Sequence, residues 1–166
     1  MNSYNARIMK AVEIAIDGKA KERRMLAERL RSLRDRLVST LGLSADDLHF
    51  LEPGSSRPVE NGADGLTYDP EKVTWVARLG IRARVLLRYE IAFHYDWDTE
   101  LWQYTIPGCI QADEWHPLDG HEAGLAEWLA SVTALALKAV RLEPGATEID
   151  INAECRKQGQ RLHDPR

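Results

Sequence analysis

Between Phe93 and Tyr104 the chain reads FHYDWDTELWQY, with His94 two residues before Asp96. On an extended segment, positions i and i+2 share a face. His94 and Asp96 therefore offer one nitrogen and one oxygen donor side by side, a set that a divalent cation accepts. A second group, His116, Asp119, His121 and Glu122, follows in EWHPLDGHE. If the two groups converge, His94, Asp96, His116 and His121 form a candidate metal site for assisted hydrolysis. Each group also has a plainer role. His94 and Asp96 would stand on a wet strand face, whose acids balance Arg84 and Arg88. Asp119 and Glu122 would serve as N-cap and capping-box residues of a helix. Two donors on one strand recur by chance, so the plainer role carries more weight. Cys109 has no basic neighbour in sequence to lower its pKa, and a small buried residue is expected there. No phosphate-binding glycine loop, nucleophile elbow or HExxH is present, and no cofactor is expected.

The elements that would position these residues begin with an alternation. From Val73 to Trp97 every odd position is apolar, and the even positions are mostly polar, including Arg78, Arg82, Arg84, Arg88, Glu90 and His94. This is the pattern of a sheet with one buried and one wet face. Its length far exceeds an ordinary strand of about 5–6 residues, so the segment must turn. A two-residue loop would switch the apolar parity, and the parity does not change. The break is therefore either a three-residue turn or a bend or bulge within one long strand. A three-residue turn at Gly80-Ile81-Arg82 is expected. After Trp97 the apolar set moves to even positions, Trp102, Tyr104 and Ile106. That switch requires an even-length loop, either Asp98-Thr99 or four residues around it. Both place Tyr95 opposite Trp102 and Phe93 opposite Tyr104.

Ahead of the sheet, residues 4–41 read as helix, rich in Ala, Leu, Glu, Lys and Arg and free of proline. Asp17-Gly18 is a weak point that would divide it into 4–16 and 19–41. Leu26, Leu30, Leu33, Leu37 and Leu41 make one narrow seam, and Ile8, Val12 and either Ala15 or Ile16 start a similar one upstream. Residues 1–41 carry ten Lys or Arg against five Asp or Glu, while the remainder carries 12 against 21. A basic arm on an acidic body can meet nucleic acid or protein.

Residues 52–65 read as a flexible loop after a short strand at His49-Phe50-Leu51. A helix capped by Asp119 is expected to run to about Leu142, with Leu125, Trp128, Leu129, Val132, Leu135, Ala136 and Ala139 on its apolar face. Residues 147–152 alternate as a short strand, and 156–166 read as a frayed tail.

The expectation is one α+β domain over 1–166. It has a long N-terminal helix (1–41), an antiparallel meander of three to four strands, a C-terminal helix on the sheet and a short final strand. No apolar run approaches the roughly 20 residues needed to cross a bilayer, and no signal-peptide pattern opens the chain. A cytoplasmic location with two free thiols, Cys109 and Cys155, is the expected default. The favoured role is a non-enzymatic accessory protein, of adaptor, chaperone or immunity type, that binds another protein as a homodimer. Leu26, Leu30, Leu33, Leu37, Arg29, Arg31 and Arg34 would supply one contact surface. Arg82, Arg84, Arg88, Glu90 and His94 would supply another. Nucleic-acid binding through the basic helix is the alternative, and metal-assisted hydrolysis the third.

Overall fold

A computed structural model of the chain describes residues 3–109, 114–138, 140 and 144–163, the last four by backbone alone. The first element, α1, runs unbroken from Ser3 to Leu41. The long N-terminal helix is thus continuous, and the weak point at Asp17-Gly18 does not divide it. One interior glycine costs a helix about 1 kcal/mol, and the strong helix formers on both sides outweigh it. Gly42 ends the helix in the left-handed region, at φ 67°. Leu43 N–H then reaches back to the Val38 carbonyl at 3.0 Å, closing the terminus.

Among the described residues seven strands follow: β1 (Leu48–Leu51), β2 (Thr67–Asp69), β3 (Thr74–Ala83), β4 (Val85–Asp96), β5 (Leu101–Thr105), β6 (His116–Pro117) and β7 (Glu148–Asp150). Their order is β1-β3-β4-β5-β6, with β2 also on β3 and β7 also on β4. The fold is mixed α+β. All the pairings are antiparallel except β7 on β4, which is parallel.

The odd-parity face is the core, as the alternation requires. Trp75, Ala77, Leu79, Ile81, Leu87, Tyr89, Ile91 and Phe93 are all buried. Onto this face pack the C-terminal half of α1 and helix α2 (Glu122–Leu137). The odd-length β3–β4 connection is also present, but not at Gly80-Ile81-Arg82. Ala83 pairs with Val85, and Arg84 alone lies between them at φ 63°. Gly80 sits mid-strand instead. A Cβ there would lie 3.0 Å from a Leu51 methyl and 3.1 Å from a Leu86 methyl. Its bare backbone makes room for two leucines rather than for a turn. The next connection is a four-residue loop, and the register is the expected one, Tyr95 on Trp102 and Phe93 on Tyr104.

Three further expectations are corrected. Asp119 does not cap α2. His121 occupies the N-cap without a side-chain bond, and Asp119 Oδ2 accepts the Trp102 N–H at 3.0 Å. The segment 52–65 is tied down rather than loose. Val59 N–H donates to the Phe50 carbonyl at 2.9 Å, Arg78 to the Ser55 carbonyl at 3.1 Å, and Arg23 to the Ala63 carbonyl at 2.7 Å. The tail is not frayed from Arg156, because helix α3 spans Ile151–His163. Asp150 Oδ1 accepts the Ala153 N–H at 3.1 Å, so the last residue of β7 caps the helix that follows it. The expected continuation of α2 to Leu142 includes Ala139 and residues 141–142, which lie outside the described residues, as do 164–166.

The second edge of β4 is shared. Residues 92–96 pair with β5, and residues 86–88 pair with β7. Glu90 falls in the gap between them. The side-chain amide of Asn152, 2% exposed, fills that gap. Its Oδ1 accepts the Glu90 N–H at 2.7 Å, and its Nδ2 donates to the Glu90 carbonyl at 2.9 Å and the Pro107 carbonyl at 2.7 Å. Asn152 thus replaces one peptide unit of a missing strand.

Candidate functional site

Helix α1 has two unlike halves. From Glu22 to Leu37 one face is buried, with Leu26, Leu30, Leu33 and Leu37 all at 0% exposure. These four, the expected partner seam, are covered by the protein's own sheet and α2. Glu22 marks where the helix meets the body. It is 5% exposed, and its Oε2 accepts from Trp75 Nε1 at 3.1 Å and Lys19 Nζ at 3.0 Å. Burial works against the Lys19 ammonium, but bonds to Tyr68 and Glu22 outweigh it and raise its pKa.

Residues 3–17 are exposed on every side. At 1.5 Å per residue, this stretch projects roughly 22 Å beyond the body. It is not a polar stretch. Ile8 is 62% exposed, Met9 55%, Val12 47% and Ile16 62%. Ile8, Val12 and Ala15 each precede Leu26, Leu30 and Leu33 by 18 residues, which is five helical turns. The exposed seam is therefore in phase with the buried one. Lys10, Glu13 and Asp17 lie on the opposite side of the helix.

The basic residues of α1 divide in the same way. Arg29 Nε is 3.0 Å from Asp119 Oδ1, an ion pair whose direction falls short of a hydrogen bond. Arg34 donates to the Leu48 carbonyl at 3.0 Å and also to that of Ala45. Both are drawn onto the body. Lys21, Arg24, Arg31 and Arg36 stay exposed. Arg31 also lines a groove of about 770 Å³ between α1 and the 58–62 segment, with Asp35, His49 and Glu60.

On the wet face of the sheet, Arg82 and the turn residue Arg84 are exposed. Arg88 Nε lies 3.4 Å from Glu148 as an ion pair but makes no directed hydrogen bond. Arg78, Arg88, Glu90, Asp150 and Arg156 line a cavity of about 270 Å³ on this face. Its three guanidinium groups face two carboxylates, so the pocket is close to balanced.

The two histidine groups do not meet. His94 stacks on Trp115 with ring centres 5.6 Å apart, and its Nδ1 is 3.4 Å from the Val73 carbonyl. Asp96 accepts the Asp98 N–H at 3.0 Å, and that bond first among several holds its carboxyl below the ordinary value. His116 stands opposite Tyr104, on the core face, between Tyr104 and Trp128 at 5.7 and 5.4 Å. His121 is exposed at the start of α2. Among the described residues, no three His, Cys, Asp or Glu side chains stand close enough together to hold a metal ion.

Sequence reasoning missed one constellation. Cys109 and Cys155, 46 positions apart, are brought together in the structure, where their chain neighbours Gly108 and Arg156 pack directly against each other. Sequence spacing carried no signal for it, because the contact depends on β7 returning parallel to β4.

No protein-family model matches the chain, and no curated protein or solved structure matches it either. Among the described residues, no helix is long and apolar enough to cross a membrane.

Proposed function

We propose that this chain is a cytoplasmic accessory protein without an enzymatic role of its own. It binds other protein through the projecting half of α1, and pairs with a second copy by the same surface. The observation that carries this reading is an apolar seam in one helical phase, closed at Leu26–Leu37, interrupted by Lys19 and Glu22, and open at Ile8–Ile16. An isolated helix of this length, rich in β-branched residues, is only marginally stable in water. A covering partner supplies what the body does not. A second copy presents the same unpaired seam, and an antiparallel pair satisfies both seams under one two-fold axis.

The strength of such a pair can be bounded. Ile8, Met9, Val12 and Ile16 from each copy contribute about 1.5 kcal/mol apiece, roughly 12 in all. Association costs about 4–15 kcal/mol. The surplus is at best that of a micromolar pair.

Light scattering on the purified protein at about 100 µM tests the reading, since that is well above a micromolar dissociation constant. A dimer is expected. The double variant Ile8→Asp/Val12→Asp is expected to be monomeric with an unchanged melting temperature, since neither side chain touches the core. A wild-type monomer at that concentration removes the homodimer.

Nucleic acid is the competing partner, because Lys21, Arg24, Arg31 and Arg36 remain exposed along the same helix. Binding to a duplex or single strand that weakens steeply with salt would favour it. Reversal of Arg24 and Arg31 with no effect at low salt would remove it.

A further inference from the structure

The turn after β5 runs along the first two turns of α3. Pro107 meets Asn152 through the 2.7 Å hydrogen bond, and Cys109 Sγ lies 4.0 Å from the Ile151 carbonyl. Gly108 approaches Arg156 so closely that a Cβ on it would stand 2.5 Å from Arg156 Cγ. Gly108 and Arg156 are the chain neighbours of Cys109 and Cys155, so this contact brackets the two thiols. Cys155 is 5% exposed at the edge of α2, its Sγ 3.8 Å from the Val132 carbonyl. Cys109 is half-buried, and both cysteines are free.

We propose that Cys109 and Cys155 are a dithiol oxidation site, which a hydroperoxide converts to an intramolecular disulfide that clips α3 to the end of β5.

The surroundings support the chemistry. The nearness of the two thiols lowers the pKa of Cys155 and raises that of Cys109. Arg156 favours the thiolate of both. In the first step a thiolate of the pair attacks the O–O bond of hydrogen peroxide. An S–O bond forms, the O–O bond breaks, and the departing hydroxide takes up the thiol proton to leave as water. In the second step the other sulfur, giving up its proton, displaces hydroxide from the sulfenic sulfur. The S–S bond forms, the S–O bond breaks, and a second water leaves. Two thiols lose two protons and two electrons, and the peroxide is reduced to two waters. Thiol reductants reverse it, which suits a compartment where both cysteines are ordinarily reduced.

The experiment treats the full-length protein with hydrogen peroxide, alkylates the remaining thiols and maps peptides by mass without reduction. The expected product is a monomer that has lost two hydrogens, with the Cys109 and Cys155 peptides joined. Its melting temperature should exceed that of the reduced form by roughly 5–15 °C, because the bond closes a long loop in the unfolded chain. Cys109→Ser, at the half-buried position, should yield no linked peptide while keeping the melting temperature of the reduced protein. The proposal is overturned by sulfinic or sulfonic acid on one cysteine with the other still alkylated. It is equally overturned by disulfides only between chains, or by both thiols surviving peroxide that oxidises a free cysteine peptide in the same tube.

Discussion

Replacing Asn152 tests the claim that one side chain completes the sheet. In Asn152→Ala three hydrogen bonds of 2.7–2.9 Å vanish together. The site is 2% exposed, so water does not readily replace them. At about 1 kcal/mol net per buried hydrogen bond, the loss is about 3 kcal/mol. Orphaning the Glu90 amide and carbonyl pushes it toward 4, since each dry unpaired group costs about 1–3. For a chain of this size that lowers the melting temperature by on the order of 10 °C. Urea unfolding should show the midpoint shifted with an unchanged slope. Asn152→Asp sharpens the test, because one carboxylate oxygen would then face the two carbonyls that the amide donates to. The native pKa of that aspartate is raised above its unfolded value near 3.9. A raised carboxyl gives its full stability below the unfolded pKa and loses it as pH rises through the native one. The deficit of Asn152→Asp against wild type should therefore grow as pH rises above about 4. A cost below about 1 kcal/mol for Asn152→Ala, or a pH-independent deficit for Asn152→Asp, would refute the reasoning.

Two more perturbations follow from the core. Burial pushes Tyr89 and Tyr104 each up to about 12. The neutral phenols are favoured in the native state, so their contribution is complete below about pH 10 and fades as pH climbs to 12. Phenolate absorbance should show two of the five tyrosines ionising late, and both joining the rest in urea; five simultaneous titrations would contradict it. Gly80→Ala drives a methyl against the Leu51 and Leu86 side chains at 3.0 and 3.1 Å and should cost about 1–2 kcal/mol by urea unfolding. An unchanged or raised midpoint would contradict that close packing.

What the sequence revealed was whatever depends on local period. Alternation from Val73 to Trp97 gave the buried face, and parity gave the odd β3–β4 connection and the β4–β5 register. The position of the first turn was hidden, because left-handed backbone is unfavourable for arginine, and Gly80 is the better breaker by propensity alone. Strand pairing overrules propensity there. The leucine seam of α1 was legible as a seam, but not what covers it. Leu30 and Val12 occupy equivalent positions five turns apart, and only the length of the body decides which is closed. The histidines could not be sorted, since which sheet face Trp115 and His116 reach is set by β6 pairing with β5. Asp119 was misread because capping is a local rule, whereas its partners, the Trp102 amide and Arg29, are distant in sequence.

The shared edge of β4 also sets an order in time. Leu86 pairs with Glu148, 62 residues later. On the ribosome, β3 and β4 can close as a hairpin soon after residue 96 emerges, but the 86–90 stretch of backbone then waits for residues 148–152. For that interval the hairpin carries one open strand edge, the feature most apt to pair with another nascent chain. The arginines at 82, 84 and 88 flank that edge, where like charges on neighbouring chains repel. Closure of this edge thus waits for β7 and α3, and the hairpin is most vulnerable just before they are made.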